Sequence, residues 1–328
     1  MAEWLYEAGI GEERAILVDS GSIVAARVCW GEPVRAGLVA EAQLVAKPAG
    51  ARRGLARLDK GGEALVDALP ATVGEGDAIR IRIIRPVLAE QGRAKRALAR
   101  HEPVSPPCPA PTLIEQLRQG PDPVREVRVA GPEFAEHGWD ELVAEALSGE
   151  VAFAGGGLTV SPTPAMTLID VDGALPAPAL ALAAVPAIAA ALGRLDLGGS
   201  VGIDFPTLPD RRDRQAVDAA LALALDRWRG ERTAMNGFGF VQLVARLERP
   251  SLVARYARRT QAGARHLLRQ AERVVEPGAL ELTAHPAVRR AVRPEWEAEL
   301  ARRTGRTLRW RDDPGLAMTA GHAQAVPA

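Results

Sequence analysis

Regular alternation of apolar and polar residues characterises the first third of the chain. Residues 13–30 (ERAILVDSGSIVAARVCW) alternate on both sides of a Ser-Gly-Ser turn, which predicts a β-hairpin. Within residues 78–88, isoleucines at every second position share one strand face and arginines share the other. These residues are Ile79, Ile81 and Ile83, and Arg80 and Arg82. Because similar short apolar segments separated by glycine turns fill residues 36–100, the pattern predicts a small β-barrel.

The character of the pattern changes after a proline-rich stretch. Residues 101–111 (HEPVSPPCPAP) predict an extended linker rather than a packed element. Beyond them, residues 200–205 form an apolar run typical of a strand buried on both faces. Helical spacing occurs over 139–149, 179–195 and 211–228. Strands that alternate with helices in this way predict a layered α/β domain with a mixed sheet.

Composition and charge restrict the class of protein without giving a function. The 328 residues are 47% hydrophobic and 25% charged, with a net charge of +0, although residues 36–100 hold 12 Lys/Arg against 7 Asp/Glu. The first residues lack the layout of a signal peptide, and no apolar run reaches the ~18 residues that span a bilayer. We therefore expect a cytoplasmic protein without a membrane partner. Cys29 and Cys108 lie far apart, so neither a CxxC zinc site nor a disulfide framework is predicted.

Two of the apolar runs end on an aspartate. Residues 166–174 (MTLIDVDGA) contain Asp170, and residues 198–207 (GGSVGIDFPT) contain Asp204. Aspartate is common at strand ends, where it forms turns and caps helices. Two carboxylates on neighbouring strands could equally hold a divalent metal ion. Asp172, two residues after Asp170, either points to the same side and assists the metal site or serves as a turn residue before a glycine.

The order of these pieces resembles the ribonuclease E/G family. The resemblance runs through most of the chain and depends on five short matches taken together. They are GGGLTV…MTLIDVDGA (155–174), RLDLGGSVGIDF (194–205), RQAV (214–217), NGFGFVQL (236–243) and ERPSL (248–252). The resemblance places Asp170 and Asp204 on the family's two metal-binding aspartates and Asp172 on a neighbouring asparagine.

The resemblance implies a domain organisation. The expected organisation consists of an α/β catalytic domain and an inserted all-β OB-fold (S1-like) barrel. The catalytic domain has a mixed sheet with helices, DNase I-like or RNase H-like. The predicted segments are an N-terminal β-hairpin packed on the catalytic domain (1–35), the barrel (36–100), a Pro-rich linker (101–112), the catalytic domain (113–276) and a C-terminal strand-helix-strand domain (277–328).

Several departures from the family pattern modify this expectation. Residues 36–100 contain no Phe, Tyr or Trp, whereas family barrels stack RNA bases on aromatic rings, so RNA would depend on basic side chains here. Those candidates are Arg80, Arg82, Arg85, Arg93, Lys95 and Arg96, with Arg246 and Arg249 near the end of the resemblance. The 5′-sensor domain and the zinc-link cysteines are absent from this sequence, so we expect no zinc and no zinc-linked tetramer, and a monomer or dimer instead. Thr207 and Gly237 replace a family aspartate and a family arginine.

The sequence therefore predicts a Mg²⁺-dependent endoribonuclease that hydrolyses RNA phosphodiester bonds in RNA or rRNA processing or decay. In this hypothesis Asp170 and Asp204 hold one Mg²⁺ ion and Asp172 assists catalysis. The alternative is a catalytically weak or inactive RNA-binding protein that keeps the ribonuclease E/G fold. Phe238 and Phe240 are interpreted either as packing residues or as contacts to a base.

Overall fold

The computed structural model describes residues 1–59, 61–90, 93–226 and 228–327, except for the side chains of Ala89, Glu90 and Arg93. The chain begins with a meander of three antiparallel strands, where the sequence predicts a hairpin. These strands are β1 (Glu3–Gly9), β2 (Glu12–Asp19) and β3 (Ser22–Cys29). The predicted Ser-Gly-Ser turn joins β2 to β3, and Gly21 adopts a φ of +83°, a conformation that glycine reaches without strain. The extra strand, β1, pairs with β2 along its whole length.

The next strands form the closed barrel that the alternating pattern predicts. They are β4 (Val39–Ala46), β5 (Gly54–Leu58), β6 (Glu63–Asp67), β7 (Ala78–Arg85) and β10 (Ala97–His101), with a separate ribbon of β8 (Leu88–Glu90) and β9 (Arg93–Lys95). The closed order is β10-β6-β5-β4-β7, and β10 runs parallel to β6. Ile79, Ile81 and Ile83 of β7 are buried inside. The mixed α/β structure with this barrel fits an OB-like insertion.

The proline-rich stretch leads into a mostly helical segment. Its elements are α1 (Leu113–Arg118), β11 (Val124–Glu126), α2 (Glu133–Glu136) and α3 (Trp139–Ser148). Thr112 starts α1 with a capping box, because its side chain accepts from the Glu115 amide and the Glu115 carboxylate accepts from the Thr112 amide. Strand β11 joins the first sheet by pairing in parallel with β1, so that this sheet has four strands.

A six-stranded mixed sheet follows, and its order is β12-β13-β14-β15-β17-β16. The elements of this segment are β12 (Glu150–Phe153), β13 (Gly156–Pro162), β14 (Thr167–Gly173), α4 (Ala177–Arg194), β15 (Ser200–Asp204), α5 (Arg211–Ala224), β16 (Gly230–Arg232), β17 (Phe240–Ala245) and α6 (Leu252–Tyr256). Strands β14 and β15 are parallel neighbours joined by α4. Strand β17 begins at Phe240, after a turn formed by residues 236–239.

One face of this sheet forms the main hydrophobic core. Val160, Ile169, Ile203 and Val241 point into it and are buried together with residues of α3, α4, α5 and the first sheet. The first and second sheets therefore share a single core. The other face of the sheet carries mostly exposed or half-buried side chains, so functional groups on it are open to a ligand.

By length and composition alone, helix α4 is long and apolar enough to cross a membrane. Its mean hydropathy is 1.6 over 18 residues. This corrects the expectation that no apolar run in the chain is long enough. In the structure, α4 packs as a core helix against β3, β12, β13, β14 and α5, and its buried face includes Leu180, Val185 and Ile188. A proline within the helix, Pro186, does not end it.

The last part of the chain forms a small sheet with helices around it. Its elements are α7 (Arg259–Arg273), β18 (Ala279–Ala284), α8 (Pro286–Ala291), α9 (Pro294–Thr304), β19 (Leu308–Asp312) and β20 (His322–Val326). The sheet order is β19-β18-β20, so one more strand is present than the strand-helix-strand pattern predicts. Helix α7 packs in this core, although the predicted boundary at residue 277 assigns it to the preceding domain.

A buried ion network joins the first strands to α7. Arg14 is fully buried and pairs with Glu7 at 2.8 Å, and Arg269 pairs with Glu7 at 3.3 Å and also with Glu12. Trp30 donates its indole N–H to Glu12 at 2.8 Å. Burial raises the pKa of the Glu12 carboxyl, but the charges of Arg269 and Arg14 outweigh it and lower that pKa below its ordinary value. The first strands and α7 are thus held together by charges that depend on one another.

Candidate active site

The two strand-end aspartates lie side by side on the open face of the six-stranded sheet. Strands β14 and β15 pair in parallel with Asp170 directly opposite Asp204, and Ile169 directly opposite Ile203. Neighbouring strands are about 4.8 Å apart, and residues in register point to the same face. Since Ile169 and Ile203 are buried in the core, the alternation turns both carboxylates outward, where they are exposed. The local sequence Ile-Asp in both strands is what produces this arrangement.

The aspartate pair belongs to a longer row of residues across the sheet. Thr159 of β13 lies opposite Asp170, and Glu150 of β12 lies opposite Thr159. On the other side, Phe240 of β17 lies opposite Asp204. The row therefore runs from a carboxylate through a hydroxyl and two carboxylates to an aromatic ring, all in register.

Asp172 lies two residues further along β14 and is exposed on the same face. Its Oδ1 accepts a hydrogen bond from the amide of Gly173 at 3.1 Å. This contact uses one of the two carboxylate oxygens and leaves the other open to solvent, so both interpretations of Asp172 stay predictions. A depression of about 210 Å³ lies next to it and is lined by Glu150, Thr159 and Gly157, among others.

A tight turn stands at the end of β15 beside Asp204. The side chain of Asn236 accepts from the amides of Phe238 and Phe240 at 2.9 and 3.0 Å, which fixes the turn. The amide of Phe205 donates to the carbonyl of Gly239 at 3.2 Å and ties the turn to the residue after Asp204. The turn is therefore attached directly to the strand end that carries the second carboxylate.

The donor set fits a hard cation that needs few protein ligands. In the described part of the chain, no group of three or more His, Cys, Asp and Glu residues is placed to hold a metal ion. Mg²⁺ prefers oxygen donors and is often bound by one or two carboxylates, with water and substrate phosphate completing its coordination. The exposed pair Asp170 and Asp204 offers this chemistry, whereas it lacks the nitrogen and sulfur ligands typical of zinc.

The predicted basic residues of the barrel are already engaged by carboxylates or carbonyls. Arg80 pairs with Glu41 at 2.7 Å, and Arg82 pairs with Glu102 at 3.0 Å. The remaining residues of this set also have partners where their side chains are described: Arg96 pairs with Glu63 at 3.1 Å, Arg85 donates to the carbonyl of Arg96 at 2.8 Å, and Lys95 takes part in an interaction. The side chain of Arg93 lies outside the described residues. Their role in RNA binding stays a prediction.

The structure separates Arg246 and Arg249 from the aspartate pair. Asp204 pairs with Phe240, and β15 and β17 are antiparallel, so Arg246 lies six residues beyond Asp204's partner, about 20 Å along the strand direction. Arg249 is mostly buried, pairs with Asp196 at 3.6 Å and donates to Gln116 at 2.8 Å. Arg249 thus has a structural role in holding the end of α4.

Two further residues near the site, Arg214 and Gly202, shape its surroundings. Arg214 donates to the backbone carbonyls of Leu208 and Pro209, so it holds the loop after Asp204. Gly202, which the sequence analysis does not single out, lies on the open face two residues before Asp204. A Cβ there would lie 2.5 Å from Phe240 Cζ. A glycine in the interior of a predicted strand is the signal that could have identified this close approach.

A much larger cavity, about 2160 Å³, lies at the opposite end of the structure. Strands β1 and β3, helix α1, the end of α4 and the loop after β17 line it, and neither Asp170 nor Asp204 does. Within it, Asp196 lies between Arg27 at 3.1 Å and Arg249 at 3.6 Å. The cavity is therefore separate from the carboxylate site.

The arrangement is that of an α/β protein with a carboxylate pair on an open sheet face. Residues 112–246 match the model of the Ribonuclease E/G family. This match supports membership of the chain in the ribonuclease E/G family and covers four of the five short motifs, whereas ERPSL (248–252) lies beyond the matched segment. The matched segment extends from the start of α1 to just beyond β17 and includes both aspartates. No curated protein matches the chain.

Proposed function

We propose that the protein is a metal-dependent endoribonuclease and that Asp170 and Asp204 hold one Mg²⁺ ion. The family implies a ribonuclease with RNA as its substrate. The observation that supports the finer assignment is the register of β14 and β15, which sets the two carboxylates side by side on an exposed face. We propose further that the six-stranded sheet is the catalytic sheet, of the DNase I-like or RNase H-like type, and that the protein acts in the cytoplasm.

In this proposal each residue of the chain has a defined task. Asp170 and Asp204 supply the oxygen donors, and their negative charge draws a divalent cation to the open face. When bound, Mg²⁺ supplies positive charge to the scissile phosphate and favours ionisation of water. Water adds to phosphorus as the bond from phosphorus to O3′ breaks; the water gives up a proton and the departing O3′ takes one up from solvent, which leaves a 5′-phosphate and a 3′-hydroxyl. The second carboxylate oxygen of Asp172 orients the attacking water.

Cleavage of an end-labelled, unstructured RNA tests the proposal. The protein is compared with Asp170→Asn and Asp204→Asn, which keep the size of the side chain but remove its charge. Asp140→Asn is the control, because Asp140 is also exposed but lies on α3, which packs on the other side of the sheet. We expect Mg²⁺-dependent cleavage by the wild type and the control, and its loss in both site variants. Cleavage that survives both substitutions would assign the activity to another site.

A second candidate function is RNA binding without efficient catalysis. Among the described residues no group of three or more potential ligands is placed to hold a metal ion, and Thr207 and Gly237 replace an aspartate and an arginine of the family pattern. In that case the wild type and both variants bind RNA equally and none of them cleaves it. The same assay therefore separates the two functions.

A further inference from the structure

The turn beside Asp204 presents an aromatic ring to solvent. Phe238 is 83% exposed, whereas the other aromatic side chains of the chain are buried or half-buried. The turn is rigid around it, because Asn236 holds the amides of Phe238 and Phe240. A large apolar side chain fixed in water gains nothing from burial within this chain. The ring is therefore available for a contact with another molecule, and its position beside Asp204 is what distinguishes it from other exposed apolar side chains such as Leu223.

A second ring belongs to Phe240, two residues further along the chain, at the start of β17. Phe240 is half-buried and lies opposite Asp204 in register. Its ring lies over Gly202, since a Cβ on Gly202 would approach Phe240 Cζ to 2.5 Å and Met166 Sδ to 2.9 Å. The ring thus leans back along β15 over Gly202. The turn and the strand thus carry two aromatic side chains beside Asp204, and we call Phe238 and Phe240 the aromatic pair.

The barrel lacks this kind of surface. It contains no aromatic residue between positions 36 and 100, and three of its arginines, Arg80, Arg82 and Arg96, are paired with carboxylates. A single-stranded nucleic acid is usually held by stacking of its bases on aromatic rings together with contacts to its phosphates. The aromatic pair is the surface in the described structure that offers stacking beside a candidate phosphate site.

We infer that the aromatic pair is a nucleobase subsite, in which Phe238 stacks on a base of single-stranded RNA adjacent to the cleaved phosphodiester. This inference rests on the proposed function for its position next to Asp204. It adds the part of the substrate that is recognised, an unpaired base, and the residue that recognises it. Every base has a π-face, so the subsite favours unpaired RNA over duplex with little dependence on sequence.

The test measures binding of a short, fluorescently labelled, unstructured RNA by anisotropy in EDTA, where hydrolysis does not contribute. Loss of one stacked base weakens binding by about 5- to 150-fold, and we expect a change in this range for Phe238→Ala. Phe238→Trp keeps a stacking ring and retains wild-type affinity. Leu223→Ala is the matched control, because Leu223 is 80% exposed and lies on α5. We expect no change in its affinity.

A set of RNAs with one abasic nucleotide at each position makes the readout specific for stacking. Wild type and Phe238→Ala should bind equally to the RNA that lacks the stacked base, while they differ on all the others. Equal affinity of wild type and Phe238→Ala for intact RNA, or the same ratio of affinities on every abasic RNA, overturns the inference. It is also overturned if Phe238→Ala only converts a dimer to a monomer, because the ring then covers a second copy of the chain.

The outcomes distinguish this inference from the proposed function. If wild type binds RNA through Phe238 but does not cleave it in Mg²⁺, the hydrolytic function fails and the base subsite stands. If wild type cleaves RNA and Phe238→Ala binds and cleaves it equally well, the subsite fails and the hydrolytic function stands.

Discussion

Replacing Arg269 by methionine measures how strongly the buried ion network stabilises the fold. The substitution keeps an apolar stem of similar length but removes the cation that pairs with Glu7 at 3.3 Å and with Glu12. Glu12 then keeps the indole donor of Trp30 and the charge of Arg14, while its side chain remains only 2% exposed. Removal of one partner from a buried ion pair costs about 3–5 kcal/mol. We expect a loss of this size in the free energy of unfolding.

Urea unfolding followed by tryptophan fluorescence provides the measurement, with Arg118→Met as the control. Arg118 also pairs with a glutamate, Glu126, at 2.7 Å, but these side chains are 57% and 60% exposed. Exposed pairs contribute about 0–1 kcal/mol, so the control should lose little. Both variants lose an arginine–glutamate ion pair, and the two pairs differ in that only the one lost in Arg269→Met is buried.

The pH dependence gives this prediction a second, independent test. The unfolded-state pKa of Glu12 is near 4.5, and its folded-state pKa lies below that value. Its contribution to stability is therefore complete above pH 4.5 and is lost as the pH falls through the lower, folded-state value. Arg269→Met removes the largest charge that lowers the pKa of Glu12, so we expect that pKa to rise and protonation to relieve part of the destabilisation. The difference between wild type and variant should narrow as the pH falls toward 4.5. The reasoning would be refuted if Arg269→Met and Arg118→Met lost equal free energies of unfolding. It would also be refuted if the difference between wild type and Arg269→Met did not change with pH.

Three further substitutions test other features. Gly202→Val places a side chain where a Cβ already lies 2.5 Å from the ring of Phe240; we expect a loss of about 1–3 kcal/mol in urea unfolding, together with weaker RNA binding. Gly237→Arg restores the family residue in open space and should steepen the salt dependence of RNA binding by about 0.7 in log–log slope, the contribution of one phosphate contact; an unchanged slope contradicts this. Ser251→Ala removes the cap of α6 and should cost about 1 kcal/mol in urea unfolding, with Ser251→Asp retaining the cap.

Local pattern was sufficient to predict the elements that carry the aspartate pair. Both β14 and β15 place isoleucine immediately before aspartate, and this alternation fixes which face each residue occupies once the strands pair. The parallel pairing itself follows from the long apolar segment of α4 between them, because parallel strands need such a crossover. Hence the register of Asp170 with Asp204 depends on short-range signals that can be read from the sequence.

Other features depend on contacts between distant residues and could not be predicted in this way. Glu41 and Glu102 neutralise Arg80 and Arg82 from a neighbouring strand and from the segment after the barrel, so a count of basic residues overestimates the free positive charge. The position of Arg249 is similar, since nothing local indicates that it turns away from the site toward Asp196. Strand β20 was missed because its short HAQAV sequence has little β-propensity and is completed by pairing with β18.

The ion network also has a consequence for how the protein is made. Glu12 and Arg269 are 257 residues apart in the chain. At about 5–20 residues per second, a ribosome adds that many residues in about 13 to 50 s. During this interval Glu7 and Glu12 lack the cation of Arg269. Burial of their carboxylates in the first sheet therefore costs more free energy than in the complete protein. We therefore expect the N-terminal strands to stay incompletely folded and accessible to chaperones until α7 leaves the ribosome. Helix α7 then completes the folding of the first sheet.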